Sequence, residues 1–305
     1  MKISVAVCTY NRAKLLERCL NSLINQNYDK TEYEIIVIDN NSSDNTKEVV
    51  YKFIETYPDC KLRYIFEPIQ GLSVARNKAI KETNSEILLF IDDDALADEN
   101  LLKEHIRIYD EFKNVGCVGG KIDVEFIDGK PRWLDEKYYS VYGYLNFSDY
   151  ITEMNSPPIG TNISFSVNII KNLNLKFDEN LGRKGLNFNG GEETAFCKVL
   201  LDNNYKIIYN PYAKVYHIVP YFKTKKSYFR KIPKDGAKGR IYNFIYYEKL
   251  KISKIFILEL WNLIISIMAY IKNIIFLRFS SLFYSELNVR RYFFSLIYLI
   301  KNIIL

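Results

Sequence analysis

The 305 residues, 48% of them hydrophobic and 26% charged, suffice for one large domain or two modest ones with a buried core. The net charge of +6 hides a split. Residues 1–220 hold 26 basic against 32 acidic side chains (net −6), and residues 221–305 hold 16 against 4 (net +12). The five cysteines (Cys8, Cys19, Cys60, Cys117, Cys197) show no metal-ligand spacing, which argues against a zinc cage or disulfide framework and for reduced thiols in a cytosolic setting.

The chain enters a strand at once, Ile3–Cys8, and nothing like a charged leader with an apolar core precedes it. A helix is expected from Arg12 to Asn25, with Leu15, Leu16, Cys19, Leu20 and Leu23 on one face. Tyr33–Ile38 reads as the second strand, ending at Asp39, and Leu62–Phe66 as the third. The turn after Asp39 resembles a calcium loop only in passing. Its sixth position is Asp44, where the turn needs Gly, and its twelfth is Val50, where Glu is needed. A capped turn and a ligand-binding carboxylate both remain open for Asp39. Gly71-Leu72-Ser73-Val74-Ala75-Arg76-Asn77 opens a further helix. Strand–helix alternation of this kind predicts an α/β fold, a mostly parallel sheet with helices on both faces.

Ile87–Ile91 then runs into Asp92-Asp93-Asp94. Five apolar residues mark a strand buried on both faces, and its end is where open α/β sheets bind ligands. Three adjacent acids there repel one another and lose hydration, a cost that a divalent cation carrying a phosphate-bearing substrate would relieve. A solvated acidic loop is the plain alternative.

Val5-Ala6-Val7-Cys8-Thr9-Tyr10-Asn11-Arg12, Ile38 to Thr46, Gly71 to Asn77 and Asp92-Asp93-Asp94 occur in order at suitable spacing. Together they closely resemble the family 2 glycosyltransferases over roughly residues 1–240. The resemblance implies a GT-A fold, a nucleotide-sugar donor, most often a UDP-sugar, and Mn²⁺ or Mg²⁺. Carried over by position, Thr9 and Asp39 hold the base, with Arg76 beside it. Asn11 and Arg12 belong to the same donor-binding set, Asp92 touches the ribose, Asp93 contributes, and Asp94 binds the metal.

A helix (Leu101–Phe112) and a strand near Val115–Val118 follow. The span with Trp133, Tyr138 and Tyr142 reads either as an acceptor wall or as a flap packed by its own tyrosines. Thr161 and Asn162 lie where the family places the donor sugar and acceptor. A glycine-rich loop from Gly182 to Gly191 lets backbone approach a ligand and leads into Glu192-Glu193. A sugar hydroxyl needs a base to take its proton. The family presents Glu-Asp here, so Glu193 is the expected base by position and Glu192 the second choice. His217, one of two histidines, sits where the family completes the metal site.

From Ile255 to Leu277 the only charges are Glu259 and Lys272. Projected as a helix, Glu259, Asn262, Ser266 and Asn273 fall within a stripe about 60° wide, and Arg291, Ser295, Tyr298 and Asn302 form a second. The expectation is a catalytic domain over 1–240 (a nucleotide-binding half to 118, an acceptor half beyond) and a helical tail over 241–305. The tail docks in the membrane interface, spans the bilayer, or packs on the protein or a homo-oligomeric partner; its polar seam and flanking charges favour docking.

The reading is an inverting, metal-dependent transferase at the cytoplasmic face of a membrane, acting on a glycan or lipid-linked glycan in surface-polysaccharide assembly. A sugar nucleotidyltransferase would need a glycine-rich phosphate loop, and Cys8 to Arg12 has no glycine. A non-catalytic scaffold and a nucleic-acid-binding module are the rivals from other classes, and no nucleic-acid partner is expected.

Overall fold

The computed structural model describes residues 1–184 and 190–304. The stretch 185–189 of the glycine-rich loop lies outside them. The chain divides into two compact units, neither of them continuous. The first comprises Met1–Glu125, Tyr142–Asn180 and Glu192–Val219. The second comprises Phe126–Val141, Leu181–Gly191 and Pro220–Leu305. The second unit thus begins before residue 240 and recruits two earlier segments.

In the first unit the order is β1 (Ile3–Thr9), α1 (Ala13–Ile24), β2 (Tyr33–Asp39), α2 (Thr46–Thr56), β3 (Leu62–Phe66), α3 (Leu72–Glu82) and β4 (Ile87–Asp92). Then come β5 (Ala95–Ala97), α4 (Leu101–Glu111), β6 (Val115–Phe126), β7 (Thr152–Met154), β8 (Asn162–Ser166), α5 (Val167–Asn172), α6 (Glu192–Asp202) and β9 (Lys206–Val219). Among the described residues these strands form one mixed sheet in the order β3-β2-β1-β4-β8-β6-β9-β5, with β7 on β9. β3, β2, β1 and β4 run parallel. Beyond β4 the pairs β4–β8, β8–β6, β9–β5 and β9–β7 are antiparallel.

Alternation along β1 explains the two-sided core. Ile3, Val5 and Val7 point to one side with Leu16, Leu20 and Leu23 of α1 and Val50 and Phe53 of α2. Ala6 points to the other with Ala75 and Ala79 of α3, and with Phe196 and Leu200 of α6. Each large apolar side chain buried this way is worth about 1.5–3 kcal/mol. Because parallel strands share a direction, the C-terminal ends of β1, β2 and β4 meet at one rim: Thr9 pairs with Asp39 and Cys8 with Asp92.

The second unit holds α7 (Lys226–Asp235), α8 (Ala237–Tyr242), α9 (Ile252–Ile275) and α10 (Phe279–Leu299). α10 packs against α7, α8 and α9. The polar stripe of α9 faces inward. Glu259 is fully buried and accepts hydrogen bonds from Arg240 Nε (3.0 Å) and Nη2 (2.9 Å), and Asn273 donates to Ser285 Oγ at 3.1 Å. The outer face carries Ile257, Trp261, Met268, Ile271 and Ile275, all exposed. α9 is long and apolar enough to cross a membrane, with mean hydropathy 1.8. Trp133 also belongs to this unit. It packs edge-on against Tyr138, Phe229 and Phe283 at ring separations of 5.4, 5.3 and 5.2 Å, so the packed-flap alternative describes it better than an acceptor wall. Gly191, at φ +100, holds a backbone conformation that other residues rarely adopt, and a Cβ there would lie 1.9 Å from Asn243 Nδ2 and push that side chain aside.

Candidate active site

The rim at the ends of β1, β2 and β4 is built from opposing charges. Thr9 Oγ1 donates to Asp93 Oδ2 (2.8 Å), and Arg12 Nη1 donates to both Asp93 Oδ1 (2.8 Å) and Asp94 Oδ2 (3.1 Å). Burial, against the pull of Arg12 and with help from Asp94, raises the Asp93 carboxyl above its ordinary range. Asp93 outweighs burial in holding Arg12 above the usual guanidinium value, with Asp94 adding to it.

Asp39 is buried. Its Oδ1 accepts the Ser42 backbone N–H (2.9 Å), and its Oδ2 accepts the Tyr64 hydroxyl (2.7 Å). Tyr64 escaped the sequence reading, although Tyr64 pairs with Val37, two residues before Asp39. Asn11, at φ +52, ties two loops together: its Oδ1 accepts the Ser43 N–H (2.7 Å) and its own N–H donates to Ser42 Oγ (2.9 Å). Asn40 Oδ1 accepts the Gly71 N–H (2.8 Å), and Gly71, at φ +152, makes the turn into α3 that only glycine adopts readily.

That turn aims Arg76. The residue is 2% exposed, and its Nη1 donates to Glu193 Oε1 (2.8 Å) and Glu192 Oε1 (3.2 Å) at the start of α6. The resemblance puts Arg76 beside a nucleobase; the structure sets it against both glutamates. Burial lowers the Arg76 pKa, but Glu193, Glu192 and Asp92 together outweigh it and raise the value. Glu193 is the more open of the pair, its side chain 19% exposed against 4% for Glu192.

Asp92 Oδ2 accepts the Thr161 hydroxyl at 2.6 Å, which joins the expected ribose contact to the expected sugar-binding segment. Asn162, expected near the acceptor, is fully buried. It donates to Ala213 O (2.9 Å) and Lys121 O (3.1 Å) and pairs with His105 Nε2 (2.8 Å), so its polar atoms serve the fold.

Pairing of β5 with β9 sets His217 opposite Ala95, beside Asp94. His217 Nε2 lies 3.0 Å from Asp94 Oδ1, and Nδ1 contacts the carbonyl oxygen of Tyr142. A carbonyl oxygen only accepts, so in the neutral ring the proton sits on Nδ1 and Nε2 turns its lone pair toward the carboxylate. Adjacent ligands of an octahedral ion with bonds of about 2.1 Å lie about 3 Å apart, so an imidazole nitrogen and a carboxylate oxygen at this spacing fit a divalent cation. Among the described residues no three His, Cys, Asp or Glu side chains form a metal cage. A cation bound here would draw its remaining ligands from phosphate and water, as a metal bound together with its nucleotide does.

Carboxylates at the ends of parallel strands, with a buried arginine and an imidazole–carboxylate pair beside them, lie on an α/β fold that matches structures of the GT-A type. The profile described as "Glycosyl transferase family 2" matches residues 4–173, more than half of the chain, and the chain belongs to that family: it is a glycosyltransferase. Glycosyltransferase AglE of Haloferax volcanii is 24% identical over 263 residues, spanning 86% of this chain and 80% of the relative. Glucosyl-dolichyl phosphate glucuronosyltransferase of the same organism is 26% identical over 232 residues, 74% and 72% of the two chains. Among solved structures, the mannosyltransferase PcManGT of Pyrobaculum calidifontis, in complex with GDP-Man and Mn²⁺, superposes with a TM-score of 0.58 at 22% identity, over 77% of this chain and 61% of the other. Residues 1–349 of S. aureus TarS with UDP give 0.55 at 21% identity, over 95% and 89%.

Proposed function

We propose that this chain transfers a sugar, with inversion, from a nucleoside diphosphate sugar to a hydroxyl of a glycan or lipid-linked glycan at a membrane surface. A UDP-sugar is the first choice of donor. The observation that carries the reading is Glu193, held by Arg76 through one oxygen at the start of α6 and partly open to solvent. Glu193 takes the acceptor's proton as the acceptor oxygen bonds to the anomeric carbon. The bond from that carbon to the diphosphate breaks on the opposite face, and its electron pair leaves with the nucleotide. An α-linked donor therefore gives a β-linkage. Thr9, Asp39 and Asp92 hold the nucleoside, and Arg12 brings positive charge to the diphosphate. Asp94 and His217 hold a Mn²⁺ or Mg²⁺ ion, whose chemistry is to neutralise charge on that diphosphate.

The membrane reading is supported by the second unit. Its seam of polar groups turns inward, its outer helix face is apolar, and residues 221–305 carry a net +12. A relative named for a dolichyl phosphate sugar supports a lipid-linked acceptor. The chain then works at the cytoplasmic face, where nucleotide sugars are made.

A thermal-shift panel of UDP- and GDP-sugars, with and without Mn²⁺, tests the donor class. A metal-enhanced rise in melting temperature for one nucleotide family is expected, and no shift with any of them would end the reading. Glu193→Gln should cut transfer to a small residual rate while the shift survives; equal loss of both would refute the base.

A further inference from the structure

We propose that Arg76 is a positioning residue of the transfer reaction, presenting Glu193 to the acceptor hydroxyl; this rests on Glu193 being the base. Arg76 and Glu193 are 117 residues apart in sequence and 2.8 Å apart in space. The guanidinium is held from several sides. Its centre lies 5.7 Å from the Phe90 ring and 5.3 Å from the Phe177 ring. Phe177 is fixed in turn: Asn77 Nδ2 donates to its carbonyl (2.9 Å), and its N–H donates to Asn77 Oδ1 (2.7 Å). Phe177 also stacks at 4.4 Å on Phe196 of α6, the helix that begins with the two glutamates. The arginine, the aromatic wall and the candidate base are therefore one packed assembly.

The bonding pattern is not that of a purely structural pair. A structural arginine–glutamate contact gains most from the bidentate fork. Here one nitrogen, Nη1, serves both glutamates, and Glu192, 4% exposed, supplies the deeply buried counter-charge. Glu193 uses only Oε1, and among the described residues its Oε2 takes no hydrogen bond, which leaves that oxygen for the acceptor. Among the described residues Glu193 pairs with Arg76 and neighbours Glu192, with Asp92 facing Arg76 from the end of β4 and the Cys8 thiol kept neutral by burial. Gly160 contributes no side chain on the remaining side. Without Arg76, two neighbouring carboxylates lose the guanidinium that both bind, and one of them is driven toward its protonated form.

The test uses the full chain with UDP-GlcNAc and Mn²⁺, with water as the acceptor whose proton Glu193 takes, following UDP release across pH 5–9 and UDP binding by calorimetry. Wild type is compared with Arg76→Lys, Arg76→Gln, Glu193→Gln and the double variant Arg76→Gln/Glu193→Gln. Arg76→Gln is expected to lower kcat about 100-fold, leave KM and UDP affinity within about threefold, and move the acid limb of the pH profile upward. Lysine should restore part of the rate. In the Glu193→Gln background the same change should cost less than twofold, because a residue acting through Glu193 has nothing left to position. Equal losses in both backgrounds, or a loss confined to KM, overturn the proposal. Full activity in Glu193→Gln removes the base assignment itself, whereas a dead Glu193→Gln beside a fully active Arg76→Gln removes only the positioning role. Should Arg76→Gln fail to fold, Gly160→Ala displaces the same contact with no change of charge, and a wild-type kcat there overturns the proposal.

Discussion

Gly160 leaves the space that the Glu193 carboxylate fills: a β-carbon on Gly160 would lie 2.0 Å from Glu193 Oε1 and 2.3 Å from Arg76 Nη2. Both atoms end flexible side chains, so an added methyl moves them and leaves the backbone in place. Gly160→Ala should therefore lower kcat at least tenfold, about 1.4 kcal/mol of transition-state stabilisation. Donor affinity should hold, and the melting temperature should fall by only a few degrees. Steady-state kinetics beside calorimetry of UDP binding checks this; a loss of affinity matching the loss of rate would count against it.

The pairing of His217 with Asp94 predicts a separable metal effect. Asp94→Asn should remove the part of the nucleotide-induced thermal shift that depends on Mn²⁺. His217→Gln, keeping a neutral donor of similar reach, should raise the Mn²⁺ concentration for half-maximal shift about tenfold. A Mn²⁺ titration of melting temperature at fixed UDP reads both. Unchanged midpoints in the two variants would place the cation elsewhere.

His105 gives a pH dependence with a definite sign. The ring is fully buried against Ser164 Oγ (2.9 Å) and Asn162 Oδ1 (2.8 Å), and burial lowers its pKa to about 4. The unfolded chain protonates its histidine near pH 6.5, so unfolding takes up a proton between those values. The stabilisation is complete above about pH 6.5 and disappears as pH falls toward 4, by up to about 3 kcal/mol. Urea unfolding of wild type and His105→Gln should show a stability gap that narrows from pH 7 to pH 4.5. A gap independent of pH would show that the buried imidazole is not the titrating group.

Deleting residues 251–305 is a poor probe of membrane binding, because α10 covers α7 and α8 and truncation would strip their packing. Charges on the outer face of α9 test the same idea within a folded chain. Trp261, Met268 and Ile275 are 60%, 55% and 67% exposed. Their joint replacement by Glu should cut co-sedimentation with phosphatidylglycerol-containing vesicles at least tenfold, since a charge costs about 2.5–3.5 kcal/mol at the centre of a bilayer. The melting temperature should stay within a few degrees. Undiminished vesicle binding would assign the face to another contact.

Much of the first unit was legible in the residues alone. Apolar runs of four or five marked β1, β2 and β4 to within a residue or so, because strands buried on both faces admit few polar side chains. Acids at the ends of parallel strands had to gather at one rim, since those strands share a direction. β5 and β7, three residues each, carry too few side chains to leave a periodic signal. From its neighbours in sequence Trp133 read equally as an acceptor wall or a packed flap, because its aromatic partners Phe229 and Phe283 lie far along the chain.

What sequence alone determined was the chemistry carried by each segment and the side of each element on which it lies, because both follow from local bonding and periodicity. Tertiary structure alone decided which partner each group meets. A helix repeat reveals that α9 has a polar stripe; only packing turns that stripe inward onto Arg240 and Ser285 and leaves apolar residues outside. The placement of Arg76 against Glu192 and Glu193 likewise requires α3 and α6 to meet over the aromatic wall, and no local rule links groups more than a hundred residues apart.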